Sequence, residues 1–429
     1  MSSHLSKQRI SWIVLGVALV ATLGWGAAHV WSSWIEVDGS RKVPNVEGVE
    51  FLRSGFRLTN ALSCSEEVSA LQVTDATESN ANSYIYVGTA PRGTVLRFSP
   101  AGDTRSSQTI AESMGDSVHA GTCNVNALAI VDVDRDGAPE LLASTSQVTP
   151  RGRPRLYMWT LGFPVSLREV VRPEIRSSWS HGLGWMPGQG GANSSLLITY
   201  CGFGEIVEFQ FDRRADDGFR AESLRWKQVD QLPASGEWLQ TSDVDNDGET
   251  DLCVATGYAE KKAAISIHER RPDGTFRRKL TIDEDGRFGN VHFIVGDLAG
   301  EGENELIAWW CSEIDGGAVE MIRYRVESGG VVEREVVERG RAEEILPRDG
   351  QMTLFDEDRD GRAELWFAAR SGSVYRWTRV EGTRPELMVR IKAGVGPICA
   401  FDRETIKLGR GLYFGAGTEV IRLEREGEK

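Results

Sequence analysis

A chain of 429 residues is long enough for one large domain or several ordinary ones, and its 47 glycines, 14 prolines and lack of low-complexity tracts suit a globular protein of short strands and turns. Its formal charge of −14, with no basic stripe to neutralise phosphates, argues against a nucleic-acid binder. Six cysteines without a CxxC spacing indicate neither a zinc site nor a dithiol redox motif.

Residues 1–9 carry Lys7 and Arg9 and read as a cytoplasmic leader. Residues 10–34 follow without a single Asp, Glu, Lys or Arg, and their core, Ile13 to Leu23, is apolar. An uncharged run of this length spans a bilayer as a helix, which takes roughly 20 residues. Basic residues before it and Glu36 and Asp38 after it keep the N-terminus in the cytoplasm, with Trp25, Trp31 and Trp34 at the far interface. The alternative is a signal peptide cleaved near Gly26-Ala27-Ala28, although the apolar run exceeds the usual core of about 7–15 residues. Both readings export the rest: a linker, 35–48, and a domain, 49–429. The domain is then membrane-anchored at the periplasmic or cell-surface side, or secreted after cleavage. Export makes Ca2+ available and thiol oxidation possible. Cys64 and Cys123 precede corresponding loops and are candidates to pair; the favoured alternative is that all six cysteines are small buried hydrophobes.

From Tyr84 onward the chain repeats. Short apolar strands begin at Tyr84, Leu141, Leu196, Leu252, Leu306, Leu365 and Leu412, spaced 47 to 59 residues apart. Continuous apolar runs are expected of strands buried on both faces. Each is preceded by another strand, as at Leu128–Val131 and Phe293–Val295. Each is followed by an alternating one, as at Ile206–Phe211 and Val374–Trp377, and then by a more polar one, as at Arg277–Ile282. Four antiparallel strands, increasingly polar outward, make a propeller blade, and seven such units predict an all-β, seven-bladed β-propeller. The seventh unit ends one strand short. Residues 49–58, with no other evident role, are predicted to supply its outer strand and so close the ring.

Three of the seven units carry an acidic loop between the first two strands. Asp132-Val133-Asp134-Arg135-Asp136-Gly137-Ala138-Pro139-Glu140, Asp243-Val244-Asp245-Asn246-Asp247-Gly248-Glu249-Thr250-Asp251 and Asp356-Glu357-Asp358-Arg359-Asp360-Gly361-Arg362-Ala363-Glu364 place carboxylates at positions 1, 3, 5 and 9 and glycine at 6. Hard oxygens converging on one point suit Ca2+, and the glycine permits the sharp turn. An EF-hand also needs Glu at position 12 between helices; here position 12 is Ala143, Val254 or Phe367, each inside a strand.

Such loops, each opening a strand and recurring every fifty-odd residues, resemble the FG-GAP/VCBS repeat family, which includes the calcium-binding propeller of integrin α subunits and exported bacterial propellers. The resemblance implies about three structural Ca2+ ions, held by Asp132, Asp134, Asp136 and Glu140; by Asp243, Asp245, Asp247 and Asp251; and by Asp356, Asp358, Asp360 and Glu364. It also implies the position-7 carbonyls of Ala138, Glu249 and Arg362 as ligands. The fifth loop departs from the pattern, with Ala299 at position 3, and the first, Asp75 to Asn80, offers mostly neutral oxygens. Units three and seven have lost it.

Before the inner strands lie His119, His181 and His292, with Trp238, Glu237 and Asn290 nearby. They are candidates for a ligand site at one mouth of the channel; the competing reading is aromatic packing between blades. No nucleophile elbow, HExxH or phosphate loop is visible. The expectation is an exported, membrane-tethered propeller that binds a protein or glycan or serves as a scaffold. The alternative is a polysaccharide lyase or hydrolase working at the channel mouth.

Overall fold

The computed structural model describes residues 48–74, 84–90, 93–98, 107–111, 123–132, 139–147, 155–160, 166–171, 179–186, 195–201, 205–211, 224–231, 236–257, 262–312, 317–369, 371–379, 383–392, 394–401 and 410–426. All described residues belong to one compact unit, Asn45–Lys429. The apolar segment 10–34 and nearly all of the linker lie outside the described residues, and no helix among the described residues is long and apolar enough to cross a membrane.

Seven antiparallel sheets are built from the described residues. From inner to outer strand, sheet one is Glu67–Thr74, Tyr84–Ala90, Val95–Phe98 and Ser107–Ala111. Sheet two is Cys123–Val131, Glu140–Gln147, Arg155–Thr160 and Ser166–Val171. Sheet three is Trp179–Met186, Ser195–Cys201, Glu205–Phe211 and Leu224–Gln231. Sheet four is Gly236–Ser242, Asp251–Thr256, Lys262–Arg270 and Phe276–Phe288. Sheet five is Val291–Gly296, Glu305–Ser312, Ala318–Glu327 and Gly330–Arg341. Sheet six is Pro347–Phe355, Glu364–Ala369, Ser373–Trp377 and Glu386–Ile391, extended by Val49–Leu52. Sheet seven is Ile398–Phe401, Gly411–Ala416, Glu419–Arg425 and Phe56–Ser63. Each inner strand touches the inner strand of the next sheet, and Ile398–Phe401 touches Glu67–Thr74 of sheet one, so the contacts run in a circle. This is a β-propeller.

The burial gradient explains the hydropathy pattern. In sheets four to seven every residue of the second strand is buried. The outer strand Gly330–Arg341 is half-buried to exposed along its whole length. Second strands sit between two neighbouring sheets, so neither face meets water. Trp309 and Trp310 show how one strand serves two junctions. Their side chains leave opposite faces. Trp310 packs with the apolar residues of sheets four and five, and Trp309 with those of sheets five and six, edge-on to Phe367 at 5.1 Å between ring centres.

Ring closure differs from the expectation for residues 49–58. Val49–Leu52 pairs with Glu386–Ile391 as a fifth strand on sheet six. The chain then turns at Arg53–Gly55, where Gly55 takes φ +84°, and Phe56–Ser63 pairs with Glu419–Arg425 as the missing strand of sheet seven. The alternation decides it: Phe56, Leu58 and Leu62 are buried, whereas Val49–Leu52 has no buried residue. The proposed Cys64–Cys123 pairing is not formed, because Cys64 is a free thiol. It packs with Cys399 against the apolar core of sheets one and seven, and burial pushes it up to about 12.

Candidate metal centre

The loop of sheet four, Asp243 to Asp251, is a turn built on its first aspartate. Asp243 Oδ1 accepts from the N–H of Asp247 at 3.0 Å and Oδ2 from the N–H of Gly248 at 2.9 Å. Asn246 at position 4 and Gly248 at position 6 take φ of 60° and 89°. Gly248 meets that demand without strain; asparagine is among the few other residues that tolerate it. The loop of sheet six repeats this geometry: Asp356 accepts from Asp360 N at 3.1 Å and Gly361 N at 3.0 Å, with Arg359 and Gly361 at φ 62° and 88°. So does the loop of sheet five, where Asp297 accepts from Glu301 N at 3.2 Å and Gly302 N at 2.7 Å, and Gly300 and Gly302 take φ 68° and 82°. Position 3 of that loop is Ala299. The turn therefore forms without a carboxylate at position 3; in loop six the acid there, Asp358, adds only a longer acceptance, at 3.3 Å, from the Asp360 N–H that also donates to Asp356.

Those acids converge. Asp243, Asp245 and Asp251 bring carboxylate oxygens within 4.8 Å of one another, as do Asp356, Asp358 and Glu364. Asp245, Asp251 and Glu364 are buried. Burial raises Asp251 to about 7, with Asp245 and Asp247 adding repulsion and Lys279 opposing it. Burial likewise raises Glu364 to about 7, reinforced by Asp358 and Glu357 and opposed by the N–H of Glu357 and the charge of Arg376. Clustered, desolvated carboxylates of this kind call for a cation.

The three loops meet that call differently. In loop six the nearby guanidinium of Arg376 goes to Glu357 at 3.3 Å and Glu386 at 3.0 Å, and among the described residues no Lys or Arg nitrogen pairs with Asp356, Asp358 or Glu364. Its hard-oxygen set fits Ca2+. In loop four the ammonium of Lys279 lies 2.5 Å from Asp245, 2.7 Å from Asp247 and 3.8 Å from Asp251. In loop five the position-9 acid, Glu305, is buried against two guanidinium groups, Arg323 at 2.6 Å and Arg379 at 2.9 Å. Sheet three has Ser195 at the equivalent place; its hydroxyl donates to Glu208 at 2.5 Å, and Arg270 donates to both at 3.0 Å.

Neighbouring loops are stitched together. Asn304, at position 8 of loop five, donates to the carbonyl of Asp243 at 2.7 Å and exchanges hydrogen bonds with Asn246. Arg410 stands at the equivalent place before Gly411 of sheet seven and donates to the carbonyls of Asp356 and Glu357. The loop residues of sheet two are split: Asp132 and Glu140 are described, Glu140 buried, while Asp134, Asp136 and Ala138 lie outside the described residues.

Solved structures share this fold. The propeller of Dos1 matches with a TM-score of 0.51 at 10% identity, covering 88% of this chain and 96% of that one. The WD40 β-propeller domain of Doa1 matches with a TM-score of 0.51 at 13% identity, covering 88% of this chain and 98% of that one. No family model and no curated protein matches the sequence. Identities this low carry the fold alone.

The channel-mouth candidates separate. His119 lies outside the described residues. A β-bulge recurs near the start of four successive inner strands, between Val68 and Ala70, Val125 and Ala127, Ser180 and Gly182, and Gly236 and Trp238. The extra residues are Ser69, Asn126, His181 and Glu237, all at the end away from the acidic loops. His181 and Glu237 are thus brought to equivalent places, together with Ser69 and Asn126, each a polar residue in an apolar strand at the same register. Trp238 and His292 occupy one register on adjacent inner strands, opposite Ala255 and Trp309. His292 is fully buried, so its ring is enclosed and not offered to a ligand; Trp238 is half-buried and packs against the core of sheets four and five.

Proposed function

We propose that this chain is a seven-bladed propeller of the FG-GAP/VCBS kind that serves as a binding or scaffold module for a protein or glycan, is stabilised by Ca2+ and is held at the outer side of a membrane by its N-terminal segment. The observation that carries the module reading is the closed circle of sheets, whose neighbours are stitched by loop hydrogen bonds such as Asn304 to Asp243 and Arg410 to Asp356 and by the Arg270–Glu208 ion pair. Two of the cavities among the described residues, about 50 and about 10 Å³, border the acidic loop of sheet four and the junction of sheets six and seven, and are of water size. A rigid ring with such closed junctions is suited to presenting loops and edges to a partner. The test is a screen of the full chain in mild detergent against a glycan array and cross-linkable envelope proteins. Saturable binding without turnover supports the reading; cleavage of a polysaccharide would replace it with the enzyme alternative.

Calcium stabilisation rests on loop six, where Asp356 makes the two shorter turn bonds, Asp358 accepts only a longer one from Asp360 N at 3.3 Å, and yet three carboxylates converge. Asp356, Asp358 and Glu364 would hold the ion, which supplies charge neutralisation and ties the inner strand of sheet six to its second strand. Chelation should lower the melting temperature: at a hundredfold excess over Kd, one such ion contributes about 2.7 kcal/mol. Asp358→Asn should remove loop six's share of that response, and an identical melt with and without chelator in the parent chain would refute an occupied site.

A further inference from the structure

We propose that Lys279 is the resident cation of the Asp243–Asp251 loop, and that a divalent ion enters this loop only by displacing it. The loops of sheets four and six, equivalent in sequence, are then a weak and a tight site. The proposal rests on the calcium reading of loop six.

Three observations carry it. The first is position: the nitrogen of Lys279 stands on the Asp245–Asp247 side of the cluster, 2.5 Å and 2.7 Å from their oxygens and 3.8 Å from Asp251, so an ion bound to Asp245 at a Ca2+–oxygen distance would lie against the ammonium and must move it. The second is commitment. Asp245 and Asp251 are each about 1% exposed in their side chains and Lys279 is 13% exposed, so the ammonium is drawn into the cluster and does not graze it from solvent. The third is contrast. Loop six has the same backbone turn and the same spacing, but its neighbouring cation, Arg376, is held away by Glu357 and Glu386. Glu357 takes position 2, where loop four has the apolar, buried Val244. Among the described residues, one extra acid outside the ring of ligands thus keeps Arg376 from pairing with the ring, although its charge still favours the ionised form of Glu364.

A cavity of about 50 Å³ adjoins Asp245 and Lys279, bordered by Ile267 and the hairpin Glu327–Gly330 of sheet five. It is large enough for a water or two and gives the lysine end a place to move when an ion arrives. Displacement would uncouple the outer strand of sheet four, which carries Lys279, from the loop. Ion entry at this site therefore loosens one tie while making another, in contrast to loop six.

The test is a calcium titration of the full chain by equilibrium dialysis, comparing the parent with Lys279→Met, Asp245→Asn, Asp358→Asn and the pair Lys279→Met/Asp245→Asn. The loop of sheet two is common to all and cancels. Lys279→Met should tighten one site at least tenfold, and adding Asp245→Asn should abolish that gain. Asp358→Asn, but not Asp245→Asn, should remove a tight site from the parent. Lys279→Met should also unfold at lower temperature than the parent in chelator and recover in calcium; failure to fold even in calcium would overturn the proposal, since the ion should replace the ammonium. Coincident isotherms for the parent and Lys279→Met would also overturn it, while leaving the calcium reading of loop six intact. No calcium uptake by either chain would instead remove the calcium reading on which this proposal depends.

Discussion

Removing Phe56–Ser63 is expected to abolish the cooperative unfolding transition of the ring. This strand is where the beginning and the end of the domain meet. It pairs along its length with Glu419–Arg425, buries Phe56, Leu58 and Leu62, and is fixed at both ends by Glu426 N to Gly55 O at 2.7 Å and Cys64 N to Thr418 O at 2.7 Å. Each of those apolar side chains contributes about 1.5–3 kcal/mol, so together they approach the roughly 5–15 kcal/mol that holds an ordinary domain folded. Their loss also bares the edge of Glu419–Arg425, an invitation to pairing between molecules. Removing Val49–Leu52 should cost much less, because that strand is half-buried to exposed and sheet six keeps four strands without it. Melting curves and protease resistance of the two deletions give the comparison. Equal stability of both would mean that closure does not depend on Phe56–Ser63.

Arg323→Met is expected to destabilise the domain by about 3–5 kcal/mol, the usual consequence of removing one partner from a buried ion pair. Arg323 is 6% exposed and donates to Glu305 at 2.6 Å and Glu335 at 2.8 Å, with Glu333 completing its shell. Burial holds the Glu305 carboxyl above its ordinary range even with Arg323 and Arg379 beside it, so that carboxylate depends on both guanidinium groups. The double change Glu305→Leu/Arg323→Met should recover most of the loss, since a well-packed apolar pair often replaces a buried ion pair at little cost. Denaturant midpoints of the two single variants and the double form the cycle. Additive losses would show that the two groups do not act on one another.

Arg323 illustrates what was hidden in the sequence. On sheets five, six and seven the residue facing the second strand two places after loop position 9 is arginine: Arg323 opposite Ile307, Arg376 opposite Trp366 and Arg422 opposite Tyr413. On sheets two and four it is Met158 or Ile267, so a full acidic loop occurs both with an arginine at this register, on sheet six, and without one. An arginine at this register reaches position 9 in sheet five and takes over the charge. The sequence shows such arginines only as isolated charges inside alternating strands, because the register that aims them is a property of the pairing. Lys279 was hidden for the same reason: it lies 28 residues beyond Asp251 in the chain and becomes a neighbour only when the outer strand of sheet four folds back.

The closing strand shows the same limit at a boundary. An apolar stretch before the first repeat and a missing strand after the last were both legible, and together they imply that the two ends meet. The turn at Arg53–Gly55 divides that stretch between two sheets, and only the burial of Phe56, Leu58 and Leu62 against sheet seven fixes which half closes the ring.

What the sequence determined by itself was the repeat. Apolar runs bounded by turns specify strands buried on both faces, and Asp at position 1 with Gly at position 6 specifies the turn, because both are requirements of the local backbone. What only the tertiary structure decided was how each buried charge is met. Among the described residues, loop six converges its acids with no Lys or Arg nitrogen paired to them, loop four receives Lys279 and loop five receives Arg323, since the partner of a buried carboxylate comes from a strand brought to it by sheet pairing.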